Sequence, residues 1–335
     1  MEKISIDQIF IRRKTLIDVR SPVEYAHGHI PHAINLPLFN DAERALVGLT
    51  YKKEGKRCAI EKGLQLVSFD RIVQEIRRLD PGSVDIYCAR GGMRSSSMAW
   101  LFELIGFEAF VIAEGYKSYR RWALNQFSLP YSLFVLGGET GSGKTKIIKA
   151  LAHVGQNVID LEALACHRGS VFGDLGSQPT QEQFENNLAA ELYKKKDRPI
   201  WVEDESGRIG SVEIPPLIFE QIRKAPMVAL QVPQEQRAQE CLDEYLGLGS
   251  QKLSIAIRRL CKRMGRLETK KAIAALEQNQ FRECCQILLR YYDKKYRYGM
   301  SLKDPKTVTI LPSPAVADDQ TIQAIKRWAA QISSE

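Results

Sequence analysis

Residues 132–145 read SLFVLGGETGSGKT, and this stretch decides how the middle of the chain folds. Residues 132–137 are an apolar run of strand length that empties into Gly138 and then Gly143-Lys144-Thr145. A helical pattern, KIIKALAHVG, follows at 146–155. In this strand–loop–helix setting the G-x-x-x-x-G-K-T pattern turns the loop N–H groups and the helix N-terminus toward phosphate. Gly138, Gly141, Ser142, Gly143, Lys144 and Thr145 are therefore the expected diphosphate-binding residues. Lys144 neutralises the terminal phosphate charge, which gives it a catalytic role, and Thr145 is placed to hold Mg²⁺.

Working outward toward the C-terminus, NVIDLE (157–162) and PIWVEDES (199–206) read as strands parallel to the first, and PMVALQVP (226–233) as a fourth that closes the sheet. The carboxyl ends of parallel strands gather on the P-loop side. Asp160, Glu162, Glu203, Asp204 and Glu205 are expected there, with Glu203 and Glu205 on one face if the strand persists and Asp204 on the other. Such carboxylates suit a metal ion on a diphosphate, so Thr145, Asp160 and Glu203 are the expected Mg²⁺ ligands and Glu203 a catalytic residue. Asp160, Glu162, His167, Arg168, Ser170, Glu205 and Arg208 are the candidates for gripping substrate. The competing reading of HRGSVFGDLG (167–176) is an ordinary helix-to-loop surface. No N-K-x-D base-recognition motif follows, so the loop specifies phosphate chemistry without specifying a nucleotide.

Working outward toward the N-terminus, alternating short strands and helices predict a small α/β domain over 1–125. TLIDV (15–19), Ile34–Leu36, VDIYC (84–88) and Phe110–Ile112 are its strands, and Ser21-Pro22 opens a helical turn. Cys88 stands where a strand meets the loop ARGGMRS, which leads into the helix SSMAWLFELIGF. Backbone N–H groups of such a loop hold an anion, and Arg90 and Arg94 are expected to lower the thiol pKa. Cys88, Arg90 and Arg94 are the catalytic candidates, against the alternative of an inert cysteine closing a buried strand. Residues 40–66, with YKKEGKR and Cys58, form an insertion that reads as a solvated excursion or as a flap over the cysteine loop.

Of the 335 residues 44% are hydrophobic and 26% charged, a globular balance that excludes a disordered chain. No apolar window has transmembrane length, and MEKISIDQIF lacks the apolar core of a signal peptide, so a soluble cytoplasmic protein is expected. The seven cysteines form no C-x-x-C pair and the five histidines hold no zinc spacing around them, which argues against a disulfide framework or structural zinc. The formal charge is +8, and residues 251–300 carry thirteen Lys or Arg against four acids, so the basicity belongs to one segment. It reads as two long helices parted near Gly265. Arg258, Arg259, Lys262, Arg263 and Arg266 mark the first, and Lys294, Lys295 and Arg297 among tyrosines mark the end of the second. This is the expected RNA-binding surface, the alternative being a solvated helical bundle with its tyrosines packed inward. The domain division is then 1–125, a linker at 126–131, a P-loop α/β domain at 132–240 and a basic, mostly helical region at 241–335.

The N-terminal residues Asp18-Val-Arg20, Glu24-Tyr25, the run Gly28 to Asn35 and the Cys88 loop resemble a rhodanese domain, whose loop cysteine carries a sulfur group. His32 replaces a usual glycine, and the stretch Cys88 to Arg94 is seven residues, one longer than the common sulfurtransferase loop. The wider loop points to a larger oxyanion, such as a phosphate-bearing donor. Taken with GGETGSGKT, VIDLE, HRGSVFG and WVEDES, the whole chain resembles the tRNA 2-selenouridine synthase family. That resemblance implies transfer of a geranyl group from geranyl diphosphate to the sulfur of wobble 2-thiouridine. Selenium from selenophosphate then replaces the geranylthio group. The implied partners are the tRNAs for lysine, glutamate and glutamine, with a functional link to selenophosphate synthetase. The alternatives are a rhodanese-type sulfurtransferase and an ATP-dependent tRNA-thiolating or kinase-like P-loop enzyme.

Overall fold

A computed structural model describes residues 2–167, 177–246 and 250–333. The chain divides into two compact units, Met1–Gln126 with Glu182–Ala190, and Phe127–Gln181 with Glu191–Glu335.

The first unit is built on an all-parallel sheet of β1 (Glu2–Ile4), β2 (Thr15–Asp18), β3 (Ile34–Asn35), β4 (Ser83–Tyr87) and β5 (Glu108–Ile112), in the order β1-β5-β4-β2-β3. Central strand β4 is a continuous buried run, as expected of a parallel strand covered on both faces. Ile17, Val84, Ile86 and Val111 pack with Met98 and Phe102 of the helix Met93–Leu104. Each such side chain contributes roughly 1.5–3 kcal/mol by leaving water. Ser21 begins the helix Pro22–His27 with a capping box closed by Glu24, and Pro22 takes the first turn, where its missing N–H costs nothing. The insertion 40–66 folds into the helices Asp41–Glu54 and Lys56–Leu66, and Val47 and Leu66 pack on the core. Residues 182–190 cluster with this unit: Tyr119 donates to the Asn186 carbonyl at 2.9 Å and Arg120 pairs with Glu185 at 2.6 Å. His32, at the position where the rhodanese resemblance leads one to expect glycine, is exposed and left-handed, with φ +67°. A glycine preference there has a backbone cause.

The second unit holds the sheet β12-β11-β6-β8-β7, again all parallel. Its strands are β6 (Leu133–Gly138), β7 (Asn157–Val158), β8 (Ile200–Glu203), β11 (Met227–Gln231) and β12 (Val308–Pro312), with a small hairpin of β9 (Arg208–Ile209) and β10 (Val212–Glu213) between β8 and β11. Phe134, Trp201 and Trp328 form an aromatic knot with ring centroids 5.2–5.8 Å apart. Three expectations change here. The strand expected over 157–162 stops at Val158, because Asp160 caps the short helix Leu161–Leu164 by accepting from the Ala163 N–H at 2.8 Å. The strand at 226–233 does not close the sheet, since β12 adds beyond it and the helix Asp319–Ile332 brings Trp328 to the knot. The basic segment is four helices rather than two: Ser250–Arg259, Cys261–Met264, Arg266–Glu277 and Phe281–Ser301. Helix Gln234–Leu246 runs across residue 240, where the boundary of the P-loop domain was expected. Among the described residues no helix is long and apolar enough to cross a membrane.

Candidate functional site

In the first unit Cys88 follows β4 directly, and the loop turns at Gly91, with φ +59°, before the helix Met93–Leu104 begins. The loop is pinned from outside. The N–H groups of Tyr116 and Lys117 donate to the carbonyls of Cys88 and Ala89 at 2.8 and 3.1 Å. Gly115, at φ +56°, allows this approach; a Cβ there would lie 2.1 Å from the Cys88 carbonyl oxygen. Cys88 is buried, with its Sγ 3.3 Å from Ser95 Oγ and accepting from the Gly92 N–H at 3.3 Å. Burial pushes the thiol pKa up, but the Ser95 hydroxyl and the N–H groups at 90, 95 and 92 outweigh it, and the net shift is downward.

The thiol is therefore tuned as expected but by different groups. The Arg94 guanidinium is taken by Glu24, at 2.6 and 3.2 Å, and Arg90 is exposed. Neither guanidinium is among the largest influences on the thiol. Arg20 is committed as well, bonded to Asp18 at 2.6 Å and the Gly28 carbonyl at 2.7 Å and stacked 3.9 Å over the Tyr116 ring. Ser95 is the residue that sequence reasoning missed. A serine one turn into a helix after a cysteine loop is too common to stand out, although its position in ARGGMRS offered the only local signal. Cys58 is half-buried in the helix Lys56–Leu66.

In the second unit the P-loop joins β6 to the helix Lys144–His153. Gly143 has φ +79°, and a Cβ there would meet Val316 at 2.4 Å. Lys144 Nζ donates back to the Gly138 carbonyl at 2.9 Å. Ser142 Oγ and Glu203 Oε1 are buried, with no hydrogen-bond partner among the described residues. Glu203 sits among Lys144, Thr145, Glu162 and Asp160; burial pushes its pKa up to about 7, against the pull of Lys144. Glu205 is pushed up to about 8 by burial and by Glu162 and Glu203. β8 ends at Glu203, yet Glu203 and Glu205 face the same surroundings, while Asp204 turns away to a buried pair with Lys303 at 3.0 Å.

Thr145 and Glu203 offer hard oxygen donors of the kind Mg²⁺ takes, with one Glu203 oxygen unspent. Asp160 is committed as a helix cap, so its carboxylate is a less available ligand than expected. Among the described residues no three His, Cys, Asp or Glu gather to hold a metal by themselves. The His167 backbone N–H donates to the Glu162 carbonyl at 3.0 Å and its buried Nδ1 has no partner among the described residues, whereas Arg168 and Ser170 lie outside them. Arg208 donates to the Gly210 carbonyl at 3.2 Å within the β9–β10 hairpin. Arg237, absent from the sequence reading, is buried and binds Asp293 at 2.8 and 2.9 Å, Glu139 at 2.8 Å and the Thr140 carbonyl at 3.1 Å. It holds the first residues of the P-loop from behind.

On the basic helices Arg258, Arg259, Lys262, Arg263, Arg266, Lys294, Lys295 and Arg297 are all exposed. The tyrosines expected to stack on bases mostly do not face solvent. Tyr291 and Tyr292 pack on the helical core, the Tyr296 hydroxyl is buried, and Tyr298 alone of the four is exposed. Cys284 and Cys285 lie in that core, with burial pushing their thiols up to about 11 and 12.

Residues 131–319 match the family model described as "tRNA 2-selenouridine synthase AAA domain", and residues 5–121 match that of the rhodanese-like domain. Similar relatives carry the name tRNA 2-selenouridine synthase. One from Sulfurovum sp. (strain NBC37-1) is 43% identical over 73% of this chain and 69% of its own length. One from Bdellovibrio bacteriovorus is 41% identical over 73% and 69%. One from Psychromonas ingrahamii is 33% identical over 96% and 94%. The chain belongs to the tRNA 2-selenouridine synthase family.

Proposed function

We propose that this chain converts 2-thiouridine of tRNA to 2-selenouridine in two steps, one served by each anion cradle. In the first, the thiouridine sulfur attacks the C1 carbon of geranyl diphosphate. The C–O bond breaks, diphosphate leaves, and the base gives up its N3 proton. Alkyl transfer of this kind needs its leaving group stabilised as charge develops. Lys144 and the N–H groups of Gly141–Thr145 supply that stabilisation. Thr145 and Glu203 would hold Mg²⁺, which supplies further charge neutralisation on the diphosphate. In the second step the Cys88 thiolate attacks the phosphorus of selenophosphate, and the P–Se bond breaks. The hydrogenselenide released attacks C2 of the base and expels the geranylthio group as geranylthiol. Water then hydrolyses the cysteine–phosphorus bond, returning the thiol and orthophosphate. The Ser95 hydroxyl and the Gly92 N–H keep the thiolate available.

The observation that carries the P-loop assignment is a pair of buried oxygens, Ser142 Oγ and Glu203 Oε1, that have no partner among the described residues. A buried polar atom without a partner costs about 1–3 kcal/mol, which a bound ligand repays. The test is nucleoside mass spectrometry of thiolated tRNA incubated with the protein, geranyl diphosphate and Mg²⁺, then selenophosphate, each omitted in turn. The expected record is a geranyl mass gain followed by its replacement with selenium. Lys144→Ala stops the first step, by about 10²–10³-fold, and Cys88→Ala stops the second with the geranylated base retained. Unchanged tRNA with every substrate present would sink the proposal.

A further inference from the structure

A cleft of about 1020 Å³ opens at the carboxyl ends of β11 and β12, beside the P-loop residue Glu139. Carboxyl ends of parallel strands are where α/β sheets receive ligands. The buried Arg237 forms part of its lining, already neutralised by Asp293 and Glu139. Arg290, Lys294 and Arg297 of the helix Phe281–Ser301 line it too, spaced four and three residues apart and hence on one helix face. Arg297 is drawn to Glu139 at 3.1 Å. Arg290 and Lys294 are exposed, and among the described residues neither has a carboxylate partner. Lys295 lies about 140° around the helix from Arg290 and does not line the cleft.

We propose that this cleft seats the sugar–phosphate backbone of the RNA substrate, with Arg290 and Lys294 on neighbouring phosphates. The inference rests on the reading of the chain as an enzyme acting on tRNA. Residues one helical turn apart stand about 6 Å from each other, the scale of successive phosphates along a strand. No aromatic ring lines the cleft among the described residues, so it offers charge without a stacking platform. That favours backbone over a base or a free nucleotide. A strand held beside Glu139 leaves its bases free to turn toward the P-loop, where the group to be transferred would sit. The five cations at 258–266 line no part of the cleft and form a solvated face.

The test uses the full-length protein and a fluorescein-labelled anticodon stem–loop RNA, with affinity read by anisotropy over a series of KCl concentrations. The variants are Arg290→Ala/Lys294→Ala and, for comparison, Arg258→Ala/Arg259→Ala. The cleft variant should bind roughly tenfold more weakly and lose about 2 from the slope of log affinity against log salt, while the comparison variant stays near wild type. All four side chains are exposed, and an unchanged thermal midpoint with retained binding of inorganic pyrophosphate verifies folding. Unchanged affinity and slope in the cleft variant, or a loss confined to the comparison variant, overturns the inference and leaves the proposed reaction standing. A wild-type protein that does not bind the RNA at all overturns both.

Discussion

The chain contains two strand–loop–helix cradles, one after β4 and one after β6, and they solve opposite problems. Around Cys88 nearly every polar group is already matched: Ser95 and Gly92 meet the sulfur, Glu24 takes Arg94, and Asp18 takes Arg20. Around Lys144 the matching is incomplete among the described residues, with Ser142 Oγ and Glu203 Oε1 unpaired and two carboxyls pushed to about 7 and 8. The first cradle is matched around a group of its own, the Cys88 sulfur. Under the proposed function, the diphosphate and its Mg²⁺ would complete the second. A loop whose reactive atom is part of the chain can match that atom in advance, whereas a loop whose reactive partner is a separate molecule leaves groups open for it.

The comparison breaks most directly at Gly115. Gly115→Ala forces a Cβ against the Cys88 carbonyl in a left-handed conformation. It should cost about 3 kcal/mol, read as a lowered thermal midpoint of the first unit, while Gly48→Ala in the insertion should cost far less. An equal midpoint for Gly115→Ala and wild type would mean that the cysteine loop is not pinned from the helix Gly115–Gln126.

The incomplete matching of the second cradle has a pH signature. A carboxyl raised to about 7 in the fold binds its proton there more tightly than in the unfolded chain. Its contribution to stability is therefore present below the unfolded pKa and lost as pH rises toward and through 7. Glu203→Gln removes that loss. The variant should be more stable than wild type by about 1–3 kcal/mol at pH 8 and should match it near pH 4. A difference that is the same at both pH values would show that Glu203 is not held against its charge.

The smallest effect sharpens the first cradle. Ser95→Ala removes one hydrogen bond to the thiolate, and selenium transfer at neutral pH should fall about tenfold. The loss should shrink as pH rises, because the thiolate then forms without help. A loss that is constant with pH would make Ser95 a packing residue only.

Both cradles were legible as sequence because each is a run of neighbouring residues whose backbone conformation does most of the work. The parallel sheets were legible in part. The apolar runs at 133–138, 200–203 and 227–231 are strands, but β12 was missed because VTILP is a half-exposed edge with a weak pattern. NVIDLE was over-extended because its aspartate caps a helix instead of ending a strand, a choice settled by one hydrogen bond. The tyrosines of the basic helix were assigned to RNA on composition, and the helical core of the second unit claimed Tyr291 and Tyr292.

By itself the sequence determined where the cysteine loop and the P-loop lie, since glycine, lysine and cysteine set these loops through the local backbone. It also determined that positive charge gathers in residues 251–300. Only the tertiary structure decided what each charged group does with that charge. Arg94 finds Glu24 seventy residues away, and Arg237 finds Asp293 fifty-six residues away. Among many acids of equal chemistry, a guanidinium's partner is the one the fold brings within hydrogen-bond reach, and no local pattern records that choice.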